Sequence, residues 1–184
     1  MKNILLVLVA LVASFSNSFC GEFRSAVLTR EGEHGPWHYE KVIDVPGTSK
    51  EELYRRMKLW VVGNIKTTDL NNTFDDKSMD LIISTPTIAF PDLKWKSLAD
   101  QTMSFKMQIE IKDNKIRVGM NGFVYSGYKN GGSVQILKPL EDLALAGNSG
   151  GQYKQIGEGF DNSFLGFMET LEKAAKTEKK SSEW

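Results

Sequence analysis

The chain is short of cysteine, histidine and proline, and it has no excess of charge of either sign. One cysteine, Cys20, in 184 residues excludes an intramolecular disulfide, so packing alone must hold the fold even in an oxidising compartment. Lys plus Arg and Asp plus Glu stand at 23 each. That balance leaves no broad basic surface for the phosphate contacts on which nucleic-acid binding depends. The only imidazole bases are His34 and His38, in "HGPWH". Gly35 and Pro36 forbid the helix that would stack two ligands four residues apart, so the pair reads as loop and strand-end surface groups and no metal is expected. There is no G-x-S-x-G elbow, and no acid, base and nucleophile converge, so an enzyme ranks behind a binding role and no cofactor is expected.

Long apolar runs are missing except at the start. In "MKNILLVLVALVASFSNSFCGEF", Lys2 forms a positive n-region, Ile4 to Ala13 an apolar h-region, and small polar residues follow. The run is shorter than the roughly 20 residues that span a bilayer, so residues 1–20 read as a secretory signal peptide and not as an anchor. Ser18 and Cys20 fit cleavage before Gly21, with cuts after Ser16 or Ser18 as alternatives. Lipid anchoring through Cys20 is the less favoured reading, because Phe19 is bulky where lipoprotein signals carry a small residue. The mature protein is expected in the periplasm or outside the cell.

What remains suits one domain, at 41% apolar and 25% charged residues. Residues 21–36 read as a lead-in, 37–176 as a single domain and 177–184 as a flexible charged tail. "WHYEKVIDV" alternates, with Tyr39, Lys41, Ile43 and Val45 on one side, before Pro46 and Gly47 stop it. Ser49 and Glu52 form a capping box. In the helix it opens, Leu53, Met57, Trp60, Val61 and Ile65 share one face while Lys50, Glu51, Arg55, Arg56 and Lys58 fill the other. Burying those five apolar side chains contributes on the order of 8–15 kcal/mol gross, so the helix needs a layer beneath it.

That layer is plainest in "TMSFKMQIEIKDNKIRVGMNGFVYSG". Met103, Phe105, Met107, Ile109 and Ile111 alternate with polar residues, and a turn at Asp113 and Asn114 sets Ile111 opposite Ile116, Ile109 opposite Val118 and Met107 opposite Met120. A slip of one residue would bury every charge, so the register is strongly specified. The same pairing sets Glu110 across from Arg117 and, continued, sends Phe123 and Tyr125 to the wet face. "MDLIISTPTIAF" reads as a strand broken at Pro86, "PDLKWKSLADQ" as a loop or single turn, and "SVQILKP" as a last short strand. A Gly-rich stretch, "AGNSGGQYKQIGEG", precedes a helix with Asp161 as N-cap, Phe160 stapled onto Leu165, and Phe164, Leu165, Met168, Leu171 and Ala175 inward. The predicted class is α+β, two layers: an antiparallel sheet with two helices on one face, a helix-grip-like arrangement.

The words "YEKVIDVPGTSKEELYRRMKLWV", "FKMQIEIKDNKIRVGMNGF" and "FLGFMETLEKAA", which cover most of residues 37–176, resemble a family of secreted bacterial domains of unknown function with a TBP-like fold. The resemblance implies a curved antiparallel sheet, an envelope or secreted location and no established activity. The chain departs from the pattern between Phe90 and Gln101 and in the Gly-rich segment.

Two binding readings follow. In the first, a partner protein in the bacterial envelope is held by exposed aromatics: Phe123 and Tyr125 on the outer sheet face, with Trp95, Tyr128 and Tyr153 in loops. In the second, a small apolar ligand sits between helices and sheet, lined by Met57, Trp60, Met103, Met107, Met120 and Met168. Lesser signals have plainer explanations. Gly157 and Gly159 stand where an anion cradle would sit, but they also suit a flexible helix entry. Asp75, Asp76 and Asp80 offer too few oxygens for Ca²⁺ and read as a solvated turn. The sequon at Asn71 has meaning only in a eukaryotic secretory route.

Overall fold

The computed structural model describes residues 23, 25–32, 35–65, 73–89, 101–129, 134–143 and 150–177. The signal segment, His34, Asn71, Trp95 and the charged tail from residue 178 lie outside them. The described strands are β1 (Thr29–Arg30), β2 (Trp37–Asp44), β3 (Phe74–Asp76), β4 (Leu81–Ser84), β5 (Thr87–Ala89), β6 (Thr102–Lys112), β7 (Lys115–Lys129) and β8 (Val134–Pro139). The helices are α1 (Lys50–Asn64), α2 (Leu140–Leu143) and α3 (Gly150–Lys176). The strands make one antiparallel sheet in the order β1-β2-β7-β6-β4-β3, with β5 also on β6 and β8 also on β7. Among the described residues no helix is long and apolar enough to cross a membrane.

The β6–β7 hairpin has the predicted register, with Ile109 opposite Val118, Met107 opposite Met120 and Glu110 opposite Arg117. Asn114 takes the left-handed conformation the turn requires, φ 65°. The hairpin tip also organises the start of α1. Asn114 Oδ1 accepts from Gly47 N at 2.8 Å, and Asp113 Oδ1 accepts from Lys50 N at 2.9 Å. Ser49 caps the helix as expected, its hydroxyl accepting from Glu52 N. The Glu52 carboxylate, expected to reach back in a capping box, instead turns forward to Arg55 and Arg56, whose charges reward it more than one backbone amide would.

Four expectations need correction. The lead-in is part of the domain: Phe23 and Leu28 are buried, and β1 pairs with β2. Asp161 is not a cap, because α3 begins eleven residues earlier, and its carboxylate instead accepts from Ser25 Oγ and from Ala26 N at 2.6 Å, strapping the lead-in to the helix. Gly157 and Gly159 therefore lie inside α3 and form no helix entry. Leu165 faces outward, 53% exposed, while Ile156, Phe160, Phe164, Met168, Leu171 and Ala175 make the buried stripe. Steps of three and four along that stripe let packing carry the helix through its glycines, each unfavourable by about 1 kcal/mol on propensity alone.

The fourth correction moves the aromatics. Between the pairs Ser104–Val124 and Lys106–Asn121 the register shifts by one, so Gly122 and Phe123 together face Phe105. Gly122 adopts φ 62°, a bulge conformation that an L side chain resists. The extra residue resets the alternation, and Phe123 and Tyr125 turn into the core, at 0% and 5% exposure. Phe105 then packs against Phe123, Phe164 and Phe167 at ring-centroid distances of 5.2, 5.8 and 5.9 Å. On its other flank Phe105 N donates to Pro86 O, in the break between β4 and β5, so the Pro86 interruption serves a ladder that is irregular on both sides.

Candidate functional site

With the aromatics gone from it, the uncovered sheet face carries polar and charged groups. Arg117 Nη2 bonds Glu110 at 2.7 and 2.5 Å. His38, Glu40, Gln108 and Asn121 stand around Gly119, which leaves a shallow hollow of about 210 Å³. The acidic residues of the β3–β4 region are committed to structure. Asp75 pairs with Lys58 of α1 at 2.6 Å, Asp80 with Lys50 at 2.7 Å, and Asp76 accepts from Ser78 and Met79 to fasten the turn.

A larger concavity of about 380 Å³ opens on the opposite side of the molecule, between α1 and α3. It is lined by Arg55, Arg56, Leu59, Trp60 and Asn64 from α1, by Thr170, Lys173 and Ala174 from α3, and by Thr177 just past its end. The two helices are fastened beneath it. Trp60 Nε1 donates to Thr170 Oγ1 at 3.2 Å, the Trp60 ring meets Phe167 edge-on at 5.0 Å, and Arg56 Nη1 donates to Ala175 O at 2.8 Å. Arg56, expected on the solvated side of α1, is 7% exposed because its guanidinium closes the carboxyl-terminal turn of α3.

The same contacts order the groove along its length. Arg56 lies beside Ala175 and Trp60 beside Thr170, so the cations Arg55, Arg56 and Lys173 gather at one end. Ala174 lies at that end too, Leu59, Trp60 and Thr170 form the middle, and Asn64 lies beyond them. Among the described residues the one carboxylate bonded into this end is Glu52, and Arg55 and Arg56 together lower its pKa to about 2, chiefly through the Arg55 hydrogen bonds. One carboxylate against three cations leaves the lining positive.

Sequence reasoning missed this site. Of the residues singled out beforehand only Trp60 lines it. Met57, Met103, Met107, Met120 and Met168 are all buried members of one core cluster, with Met120 also flooring the sheet-face hollow. Phe123 and Tyr125 are core, Trp95 is outside the described residues, and Tyr128 and Tyr153 fall on β7 and at the start of α3 with side chains outside the described set. His38 stands on the open sheet face. No local signal marks the groove, since its two walls lie over a hundred residues apart in the chain.

An antiparallel sheet backed by helices makes this an α+β protein of TBP-like fold. Residues 39–126 match the model of DUF4468, a domain of unknown function with TBP-like fold. It is similar to a TBP-like protein from Parabacteroides distasonis ATCC 8503, with TM-score 0.64 and 18% identity over 81% of this chain and 98% of that one. It is likewise similar to a DUF4468 family protein from Bacteroides ovatus ATCC 8483, with TM-score 0.64 and 12% identity over 85% of this chain and 94% of that one. At such identities the likeness carries the fold and nothing finer. No curated protein matches the chain. The matched span contains the α1 wall of the groove and ends before the α3 wall.

Proposed function

We propose that the protein is an exported, non-enzymatic binding module of the bacterial envelope, and that it holds a partner protein in the groove between α1 and α3. The observation that carries the reading is the groove's lining: an apolar middle beside three cations and, among the described residues, only one carboxylate, on a scaffold fastened from below. Sites that bind combine apolar area with a few placed polar groups, and this one does. Export is supported by the n-region and h-region of residues 1–20 and accords with the bacterial source of both structural relatives. The sheet face is the weaker candidate because its prominent arginine is already neutralised by Glu110. A carrier of a small ligand is the second reading; the groove volume lies within the range of small-molecule sites, which moves that reading from the methionine core to the groove.

Photocrosslinking in intact host cells tests the proposal. A crosslinker replacing Leu59, which is 46% exposed at the groove rim, is expected to capture one protein reproducibly, and the capture should vanish when Ala174→Trp fills the groove. Capture from Val42 on the open sheet face, with none from Leu59, would overturn it.

A further inference from the structure

The groove's shape and charge say more than that something binds there. Its α1 wall runs from Arg55 to Asn64, nine helical steps of 1.5 Å, so the trough is about 14 Å long. That is the span of about four residues of extended chain at roughly 3.3 Å each. The distribution of lining groups is also polar along the trough, with the cations and Ala174 at one end, Leu59, Trp60 and Thr170 in the middle, and the Asn64 amide at the other.

Within the cationic end the three groups are not equivalent. Arg56 is spent on Glu52 and on Ala175 O, and Arg55 holds Glu52 through both Nε and Nη2 at 2.8 Å. Lys173 has no ion-pair partner among the described residues, and it lies one residue before Ala174 on the α3 wall. An incoming carboxylate meets Lys173 first, and Arg55 second by sharing Glu52. The carbonyl end of α3, which would repel an anion, is masked by Arg56.

We infer that the groove takes an extended acidic segment of a partner protein, about four residues long, with its carboxylate against Lys173 and Arg55 and an apolar side chain seated on Leu59 and Trp60. This rests on the groove being the binding surface, as proposed above, and adds the chemistry of what lies in it. Charge complementarity of this kind sets which partners are accepted and how fast they arrive, and it makes binding sensitive to salt.

The test uses the full mature chain and two fluorescent hexapeptides, one with two glutamates followed by a leucine, the other with glutamines in place of the glutamates, read by fluorescence anisotropy. The acidic peptide is expected to bind at least tenfold tighter than the neutral one at low salt. Lys173→Glu should remove that preference, while Val42→Ser on the open face leaves it unchanged. Lys173 is exposed, so this variant keeps its fold even if Ala174→Trp does not, and circular dichroism checks both. Equal binding of the two peptides, with both lost in Ala174→Trp, would overturn the acidic inference and leave the groove itself standing. Equally tight binding of free phenylacetate would replace the peptide by a small carboxylate and also overturn it. No binding of either peptide, together with partner capture that survives Ala174→Trp, would overturn both readings.

Discussion

The uncovered sheet face and the α1–α3 groove are both outward surfaces rich in charge, yet their charges are arranged differently. On the sheet the prominent pair, Glu110 and Arg117, sits directly opposite across one hairpin and cancels locally. In the groove Arg55 and Arg56 share Glu52 while Lys173 has no ion-pair partner among the described residues, and apolar side chains lie next to them. The contrast teaches that short-range pairing neutralises a surface, whereas charge left over from packing two distant helices creates one that can recognise. A single glycine decides how deep the contrast goes, because the bulge at Gly122 takes Phe123 and Tyr125 away from the sheet face.

The strongest way to break the comparison is to remove that bulge. Gly122→Val places a β-branched residue at φ 62°, and although its Cβ would meet open space, the backbone conformation alone makes it unfavourable. We expect a loss of at least about 2 kcal/mol in urea denaturation and a rise in binding of hydrophobic dye as aromatics return toward the sheet face. Gly122→Asn, which tolerates the left-handed region, should recover most of that loss.

Next in size is the fastening beneath the groove. Arg56→Met keeps the side-chain volume but leaves Ala175 O without its donor and frees Glu52 from one partner. The expected loss is about 1–3 kcal/mol, measured by the same denaturation, together with weaker groove binding.

Acid titration probes both helices at once. Glu52 and Glu172 each have folded-state values lowered from 4.5 to about 2, Glu52 mainly by Arg55 and then Arg56, and Glu172 mainly by Lys176 and then Lys41. A depressed carboxylate binds its proton less readily folded than unfolded, so its stabilisation is full above about pH 4.5 and drains away as pH falls through about 2. Solvent screens both groups, so the effect is modest. The urea midpoint should fall between pH 5 and pH 2.5, and less steeply in Glu52→Gln.

The smallest change is expected on the sheet. Glu110→Gln removes an exposed cross-strand pair and should leave the urea midpoint nearly unchanged, with any difference erased in high salt. A larger effect would mean that the open face is more than a solvated surface.

Much of this was legible from residue order, and the reasons are local. Leu53, Met57, Trp60, Val61 and Ile65 declared the buried face of α1, and strict alternation around Asp113 and Asn114 fixed the hairpin. The bulge did leave a trace, since the apolar beat of two through Ile116, Val118 and Met120 becomes a step of three to Phe123. Reading Gly122 as one ordinary strand residue hid that change of phase. The early start of α3 was hidden by its glycines, whose poor propensity is overridden by tertiary packing that a single sequence does not display. The groove was illegible for a different reason. It exists only where residues 55–64 and 170–177 meet, and neither stretch alone shows that its edge will face the other.

The central claim, that binding belongs to the helix groove, is most directly tested by titrating the acidic hexapeptide into isotope-labelled protein and following backbone amide shifts. The account predicts perturbations concentrated in residues 55–64 and 170–177, with the strands around Gly119 unmoved. Perturbations centred on His38, Gln108 and Asn121, with the helices silent, would contradict it.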